Sequence, residues 1–320
     1  MLTASLFADG GAEVGLGHFR RSLTLALAMK ARGVEVGMFV PDESLAAEVR
    51  SLGLSSAVVA RDGGDFPLAD IIIADGYGIA SEAAEKWKEC GGLTAIIDDN
   101  AVRPIHVHTV INPNLYGAAL DYTAYQAEKL LLGPDYALID PAFPAVRKSK
   151  ALDTESATKD ILVWFGGTDE GAYATAVARA LLPLCQRRIH VVVSPLRLPS
   201  AEVRALAEEN PQRIVFHHGA KLAELMRHSE IYVGAAGTSV AEAIAAELSV
   251  AVFCLAENQQ SNARYLQQHG AVVMHSFNPG ELAAKALNAT QLKELASSLD
   301  GRGAERISDS LISIFARKKV

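Results

Sequence analysis

Short apolar runs alternate with amphipathic stretches along most of the chain. Residues 2–8, 34–40, 71–74, 93–97, 107–111 and 129–132 read as strands, with a shorter one at 57–60. Between them 18–32, 44–51 and 81–89 carry helical patterns. Pro41 and Asp42 mark the start of the second helix, and Ser81 caps the third. Strands that are apolar throughout, separated by helices, imply a parallel sheet covered on both faces.

The pattern lapses between Arg147 and Lys159, where lysines, serines and acidic residues crowd together, and this segment reads as an interdomain linker. A second alternating series follows. Strands are expected at 160–165, 190–193, 214–217, 231–233 and 250–255, and helices at 172–185, 200–209, 221–227, 240–247 and 259–269. The expected architecture is α/β, with two doubly wound parallel-sheet domains at 1–150 and 151–320, and the last helix can pack back on the first domain. Ligands of such sheets bind at the carboxyl ends of the strands. Two facing halves therefore predict an interdomain cleft as the substrate site.

A chain of 320 residues, half hydrophobic and 21% charged, suits a globular protein of this size. The formal charge of −7 argues against nucleic acid as the main partner. Three cysteines, Cys90, Cys185 and Cys254, are far apart and read as buried thiols in a reducing compartment. No apolar run is long enough to span a bilayer, and Asp9 with a glycine turn interrupts any signal-like start, so a cytoplasmic location is expected.

The candidate chemistry begins at Gly15-Leu16-Gly17-His18. A strand, a glycine turn and a helix in that order place His18 at a helix N-terminus, where unpaired N–H groups attract anions. The positive helix end disfavours imidazolium, so His18 is expected to be able to accept a proton. Arg20 and Arg21 could form a local basic cleft for a phosphate. In the second half, Gly166-Gly167-Thr168 and Gly234-Ala235-Ala236-Gly237-Thr238-Ser239 repeat the strand–turn–helix placement and suggest a diphosphate cradle. Glu242 is either a capping-box partner of Ser239 or an acceptor for ribose hydroxyls. Asn258 and Gln259, after the last strand, reach the same edge.

Asp75-Gly76-Tyr77 ends a strand of the first half. Tyr77 there either donates to a sugar, orients His18 or simply packs on its own domain. Asp98-Asp99 ends the next strand and suits orientation of a helix end or a histidine better than metal binding with His106 and His108. Adjacent aspartates on a strand point apart, and the spacing matches no ligand motif. His217-His218 reads as a strand end plus loop.

Taken in order, these motifs resemble the UDP-sugar hydrolases of pseudaminic acid biosynthesis and their spore-coat polysaccharide relatives. The similar segments are Gly15-Leu16-Gly17-His18-Phe19-Arg20-Arg21-Ser22-Leu23-Thr24-Leu25-Ala26, Asp75-Gly76-Tyr77-Gly78, Ile97-Asp98-Asp99, Ile111-Asn112-Pro113-Asn114-Leu115-Tyr116 and Leu132-Gly133-Pro134-Asp135-Tyr136-Ala137-Leu138. They continue with Phe165-Gly166-Gly167-Thr168-Asp169, Gly237-Thr238-Ser239 through Glu242, and Ala256-Glu257-Asn258-Gln259. Asp9-Gly10-Gly11 and Leu248-Ser249-Val250 depart from the family pattern.

The resemblance implies a glycosyltransferase-B-type fold, a UDP-sugar substrate, and neither cofactor nor metal. It implies hydrolysis at the anomeric carbon, releasing UDP and a 2,4-diacetamido-2,4,6-trideoxy sugar. His18 would activate water with Tyr77 beside it. Gly15, Gly17, Arg21 and Asp75 would line the substrate site of the first domain. Gly166, Gly167, Thr168, Gly237, Thr238, Ser239, Glu242, Asn258 and Gln259 would bind nucleotide or sugar in the second. A glycosyltransferase using the same cleft, or a catalytically silent nucleotide-sugar binding protein, stays open as an alternative, as does the oligomeric state.

Overall fold

The computed structural model describes residues 1–11, 14–61, 67–79, 81–89, 92–102, 105–152 and 159–318. Cys90, the side chain of Ser81 and residues 153–158 of the polar segment lie outside the described residues. The chain divides into two compact units, Met1–Asp140 with Arg302–Val320, and Pro141–Gly301.

The first unit contains β1 (Thr3–Ala8), α1 (Gly17–Ala31), β2 (Glu35–Phe39), α2 (Glu43–Ser51), β3 (Ile71–Asp75), α3 (Ser81–Glu89), β4 (Leu93–Ile97), β5 (Thr109–Asn112) and β6 (Lys129–Leu132). Its strands form one six-stranded sheet in the order β2-β1-β3-β4-β5-β6, every neighbouring pair parallel. Successive side chains of a strand point to opposite faces. Leu6, Ile71, Ile73, Leu93, Ala95 and Ile97 thus join one core with Phe19, Leu25 and Met29 of α1. Phe7, Ile72, Ala74 and Ile96 join another, with Trp87 of α3. That two-sided burial is why these strands are apolar without alternation. Asp42 caps α2, its Oδ1 accepting from the N–H groups of Ser44 at 2.8 Å and Leu45 at 3.3 Å. Residues 57–60 form no strand; Val58 makes only an isolated bridge to Val40.

The second unit opens with α4 (Ala142–Leu152). It continues with β7 (Asp160–Trp164), α5 (Ala172–Leu181), β8 (Ile189–Val193), α6 (Ala201–Glu209), β9 (Ile214–His218), α7 (Leu222–His228) and β10 (Ser229–Ala235). Next come α8 (Ser239–Ala245), β11 (Ser249–Phe253), α9 (Gln260–Gln268), β12 (Val272–Met274), α10 (Pro279–Ala286) and α11 (Lys293–Ser298). The sheet order is β12-β11-β10-β7-β8-β9, again all parallel. Ile161, Val163, Ile189, Val191, Ile231 and Val233 build the core with α5, α6 and α10.

Three differences from the sequence pattern have physical causes. The expected linker begins inside α4, which buries Phe143 and Val146 while its Arg147 Nη1 donates to the Ala296 carbonyl at 2.7 Å. In the sequence the polar stretch Arg147-Lys148-Ser149-Lys150 obscures the apolar residues before it. Both His217 and His218 belong to β9, and His217 Nε2 lies 3.0 Å from His190 Nδ1. Cys185 and Cys254 are free thiols that are half-buried, not buried.

A last helix, α12 (Gly303–Lys318), belongs to the first unit and packs along α1. Ile307, Leu311, Ile314 and Phe315 enter the core that α1 shares with the sheet, and Arg32 pairs with Asp309 and Glu305. Burying each such large apolar side chain contributes roughly 2 kcal/mol. Among the described residues no helix is long and apolar enough to cross a membrane.

Candidate functional site

In the first sheet the chain reverses direction of growth between β1 and β3, and such switch points open a crevice at the carboxyl ends of the strands. The turn after β1 and the last residue of β3 meet there. Gly11 and Gly15 exchange two backbone hydrogen bonds of 3.0 and 2.8 Å, and Gly15 sits at φ +82°, where a side chain would be strained. Gly17 then begins α1. Its N-cap Leu16 offers no side-chain acceptor, and no acidic residue lies in the first turn.

His18, Arg21 and Ser22 occupy positions i, i+3 and i+4 of α1 and therefore share one face. All three reach Asp75, the terminal residue of β3, which is 0% exposed. Asp75 Oδ1 accepts from His18 Nδ1 at 2.7 Å and from Arg21 Nη2 at 2.5 Å. Its Oδ2 accepts from Arg21 Nε at 2.7 Å and from the Ser22 hydroxyl at 2.8 Å. Arg21 Nη1 reaches Asp99 Oδ1 at 2.7 Å. Burial opposes ionisation of Asp75, but the Arg21 guanidinium and then His18 overcome it and hold the carboxyl well below its usual range. Asp99, also buried, is held low by Arg21 in the same way.

An ionised Asp75 cannot donate, so its contact with His18 requires the proton on Nδ1. Arg21 Nη2 also lies 2.9 Å from Nδ1, but two donors facing each other make no hydrogen bond. The tautomer is thereby set: Nδ1 carries the proton and Nε2 keeps its lone pair. His18 is 8% exposed. The Tyr77 ring stands edge-on to it, centroids 4.7 Å apart at 89°, and the Tyr77 hydroxyl donates to Asp99 Oδ2 at 3.0 Å. Asn114 Nδ2 donates to Asp99 Oδ1 at 2.6 Å. One guanidinium and two carboxylates give this cluster a net negative charge while His18 is neutral, and proton uptake at Nε2 neutralises it.

Two expectations are corrected by this geometry. Arg21 is not a free cation for a phosphate, because two carboxylates already hold its guanidinium, and Arg20 pairs with Glu48. Asp75 is not positioned as a substrate contact, because both oxygens are engaged beneath His18. Asp98 and Asp99 do diverge: Asp98 accepts from the Asn100 N–H at 3.0 Å and from the Tyr125 hydroxyl. His108 turns its Nδ1 to the Thr94 N–H at 2.9 Å.

In the second unit β7 and β10 are adjacent, Trp164 registering with Gly234, so both glycine turns leave the same edge of the sheet. A Cβ on Gly234 would fall 1.9 Å from the Trp164 carbonyl oxygen, so only glycine allows this approach. The turns differ, however. After Gly166-Gly167-Thr168 the buried Asp169 carboxylate accepts from the N–H groups of Gly171 at 3.1 Å, Tyr173 at 3.4 Å and Ala174 at 3.3 Å. The start of α5 is therefore capped by its own carboxylate, which would repel a diphosphate, and only the N–H groups of the turn itself remain.

The start of α8 has no such cap. Its N-cap is Thr238, exposed and without a side-chain cap bond, so Glu242 lies one position beyond that of a capping-box partner. Ser239 Oγ accepts from the Trp164 indole at 3.2 Å and keeps its own proton to donate. Gln259 Oε1 accepts from the Leu255 N–H at 3.0 Å, while its Nε2 faces Gly237. Asn258 is exposed in the short turn Glu257–Gln259.

Three residues that the sequence reading did not single out make hydrogen bonds at these sites. Ser22 and Asn114 hold the carboxylates around His18, and Asn262 of α9 donates to the carbonyls of Ala236 at 2.9 Å and Gly237 at 3.3 Å. Two of them carried a signal in their spacing. Ser22 follows His18 by one helical turn, and Asn262 shares the buried face of α9 with Ala263 and Leu266.

No family model matches the chain. It is 24% identical to the spore coat polysaccharide biosynthesis protein SpsG of Bacillus subtilis, over 98% of each chain. It is 25% identical to the UDP-2,4-diacetamido-2,4,6-trideoxy-beta-L-altropyranose hydrolase of Campylobacter jejuni, over 84% of this chain and 97% of the relative. Among solved structures it superposes on Acinetobacter baumannii MurG with a TM-score of 0.65 at 14% identity, covering 98% of this chain and all of the other. Arabidopsis thaliana UGT89C1 complexed with UDP gives a TM-score of 0.68 at 13% identity over the full length of both. The chain thus has the glycosyltransferase-B fold and is a distant relative, over most of its length, of the spore-coat polysaccharide and UDP-sugar hydrolase proteins.

Proposed function

We propose that the protein is a UDP-sugar hydrolase acting at the anomeric carbon of a UDP-2,4-diacetamido-2,4,6-trideoxyhexose. One observation carries the reading: His18 Nδ1 lies 2.7 Å from the buried Asp75 carboxylate, an acceptor that places the ring proton on Nδ1 and leaves Nε2 as a base. Water gives its proton to Nε2 as its oxygen bonds to the anomeric carbon. The bond from that carbon to the phosphate oxygen breaks, and UDP departs with the electron pair. Asp75 holds the ring and stabilises the imidazolium, as the carboxylate does in a Ser-His-Asp triad. Tyr77 and Arg21 act through Asp99 and Asp75 as positioning residues.

The nucleotide belongs, in this reading, to the second unit. Gly237, Thr238 and Ser239 offer N–H and O–H donors to the diphosphate, and Glu242 takes ribose hydroxyls, with Gln259, Asn258 and the Gly166-Gly167-Thr168 turn around them. Support comes from the uncapped start of α8, from the motif order that resembles the UDP-sugar hydrolase family, and from 25% identity to the hydrolase relative.

The test is release of UDP and free sugar from this substrate in water, with a chelator present and no acceptor added. His18→Ala is expected to lower kcat by about 10²–10⁴ while UDP still binds. Release only after an acceptor alcohol or amine is supplied would make the protein a transferase. UDP binding without any turnover would make it a binding protein.

A further inference from the structure

Asp9 directly follows β1 and is 7% exposed. Its backbone N–H donates to the Asp75 carbonyl at 2.9 Å, so the end of β1 is tied to the residue that holds His18. Its Oδ1 accepts from the Gly10 N–H at 2.7 Å and from Arg61 Nη1. The same guanidinium reaches the Gly10 carbonyl through Nη2 at 3.2 Å. One planar group thus bridges the side chain of Asp9 and the backbone of the next residue, a span that suits the rigid fork of arginine. A carboxylate so far from water is costly unless a cation pairs with it.

The turn held in this way leads to His18. Gly11 is bonded to Gly15 through both backbone groups, and α1 begins two residues later. Gly10 lies beneath α1, where a Cβ would fall 3.1 Å from Phe19 Cβ. Gly11, beside Arg61 Nη2, has φ +119°, a conformation that strains any side chain. The opposite flank of the site meets the same two residues. A Cβ on Gly76 would fall 3.2 Å from Asp9 Cβ, and one on Gly78, next to Tyr77, would fall 3.3 Å from the Arg61 carbonyl oxygen. Asp9 and Arg61 therefore join three segments: the approach to His18, the end of β3 with Asp75, and the loop with Tyr77.

We propose that Arg61 is a positioning residue that sets His18. It neutralises Asp9 and fixes the Gly10 carbonyl, and so holds the turn into α1 in register with the end of β3. This rests on the hydrolase reading for the reaction that His18 performs. A catalytic group must be held to within about 0.5 Å of its working geometry, and loops alone do not achieve that. A guanidinium that ties the loops together supplies the missing restraint.

The experiment compares Arg61→Ala and Arg61→Lys with wild type and with Arg50→Ala, which removes an exposed pair with Glu43. The readouts are the ring signals of His18 in a nitrogen-15 correlation spectrum, kcat and KM for UDP release from the UDP-diacetamido-trideoxyhexose, and the response to millimolar guanidinium chloride. Arg61→Ala should displace the His18 signals and lower kcat by about 10–100-fold, with KM and UDP affinity within about two-fold of wild type. Guanidinium should restore part of the lost rate, because the Arg61 side chain is half-exposed and the small cation can enter beside Asp9, whereas equal sodium chloride should not. Arg61→Lys keeps the charge but not the fork, so its rate should fall between. Arg50→Ala should change none of these. His18 signals that stay at their wild-type positions overturn the proposal, and so does a rise in KM with kcat unchanged. A rate loss that neither lysine nor guanidinium reduces also overturns it, since that is loss of fold. Wild type that releases no UDP overturns the hydrolase reading alone, because the His18 signals still decide what Arg61 holds. If Arg61→Ala does not fold, Arg61→Lys decides by the same measurements.

Discussion

Asp75→Asn tests the centre of the site with the smallest change in shape. The carboxylate accepts four hydrogen bonds, from His18 Nδ1, twice from Arg21 and once from Ser22. An asparagine has one acceptor oxygen, and the pair formed by Arg21 Nε and the Ser22 hydroxyl claims it at the Oδ2 position. Its NH₂ then faces His18, which can satisfy it only by presenting a bare Nδ1. The proton moves to Nε2, and the base is lost without moving the ring. An equivalent change in a Ser-His-Asp triad lowers kcat by about 10⁴, and a drop of that order is expected here with KM little altered.

Stability falls as well, because Arg21 stays buried with Asp99 as its remaining carboxylate. Removing one partner of a buried ion pair costs about 3–5 kcal/mol, and the retained amide oxygen puts this variant near the lower figure. For a unit of this size that corresponds to a melting point lower by roughly 6–12 °C. The assays are initial rates of UDP release well below the melting temperature and a calorimetric melt of the same preparation. A variant that melts lower yet turns over at the wild-type rate would refute the argument, since the tautomer of His18 would then not depend on Asp75.

Glu242→Ala should weaken UDP binding with little change in kcat at saturation, read by titration, and unchanged affinity would remove Glu242 from the nucleotide site. Stability should also decline in acid. Asp75 and Asp99 have folded-state pKa values below their unfolded ones, so their contribution is present above about pH 4 and is lost as pH falls through the folded values. Urea unfolding of wild type and Asp75→Asn at pH 7 and at pH 3 should show the gap between them narrowing in acid. A gap that holds constant would mean that these carboxylates are not the titrating groups.

Much of the architecture was legible because the two sheets are buried on both faces. Runs such as Ile71-Ile72-Ile73-Ala74 have no other use in a chain of this composition, and helices placed between them leave only parallel pairing. The reading failed where polar residues masked an apolar face, as in α4, and beyond residue 269 it named only a last helix, without bounds, and not β12, α10 or α11. His18, Tyr77 and the glycine turns stood out as candidates because they sit directly after strands. Asp75 stood out as a strand end and Arg21 as half of a basic pair, but the ion pair between them was not legible. A charged residue near a glycine turn looks available for a ligand until its neutralising partners are known, and those partners are 54 and 78 positions away.

What the sequence determined by itself is local: the period of each segment, the starts of the first two helices to within a residue (18 and 44 expected, Gly17 and Glu43 found), and the identity of the groups that line the sheet edges. What tertiary structure alone decided is which groups neutralise one another. The His18 tautomer and the engagement of Arg21 with Asp75 and Asp99 both depend on strand order. Ladder pairing sets distances between residues far apart in the chain, and electrostatic interactions follow distance in space.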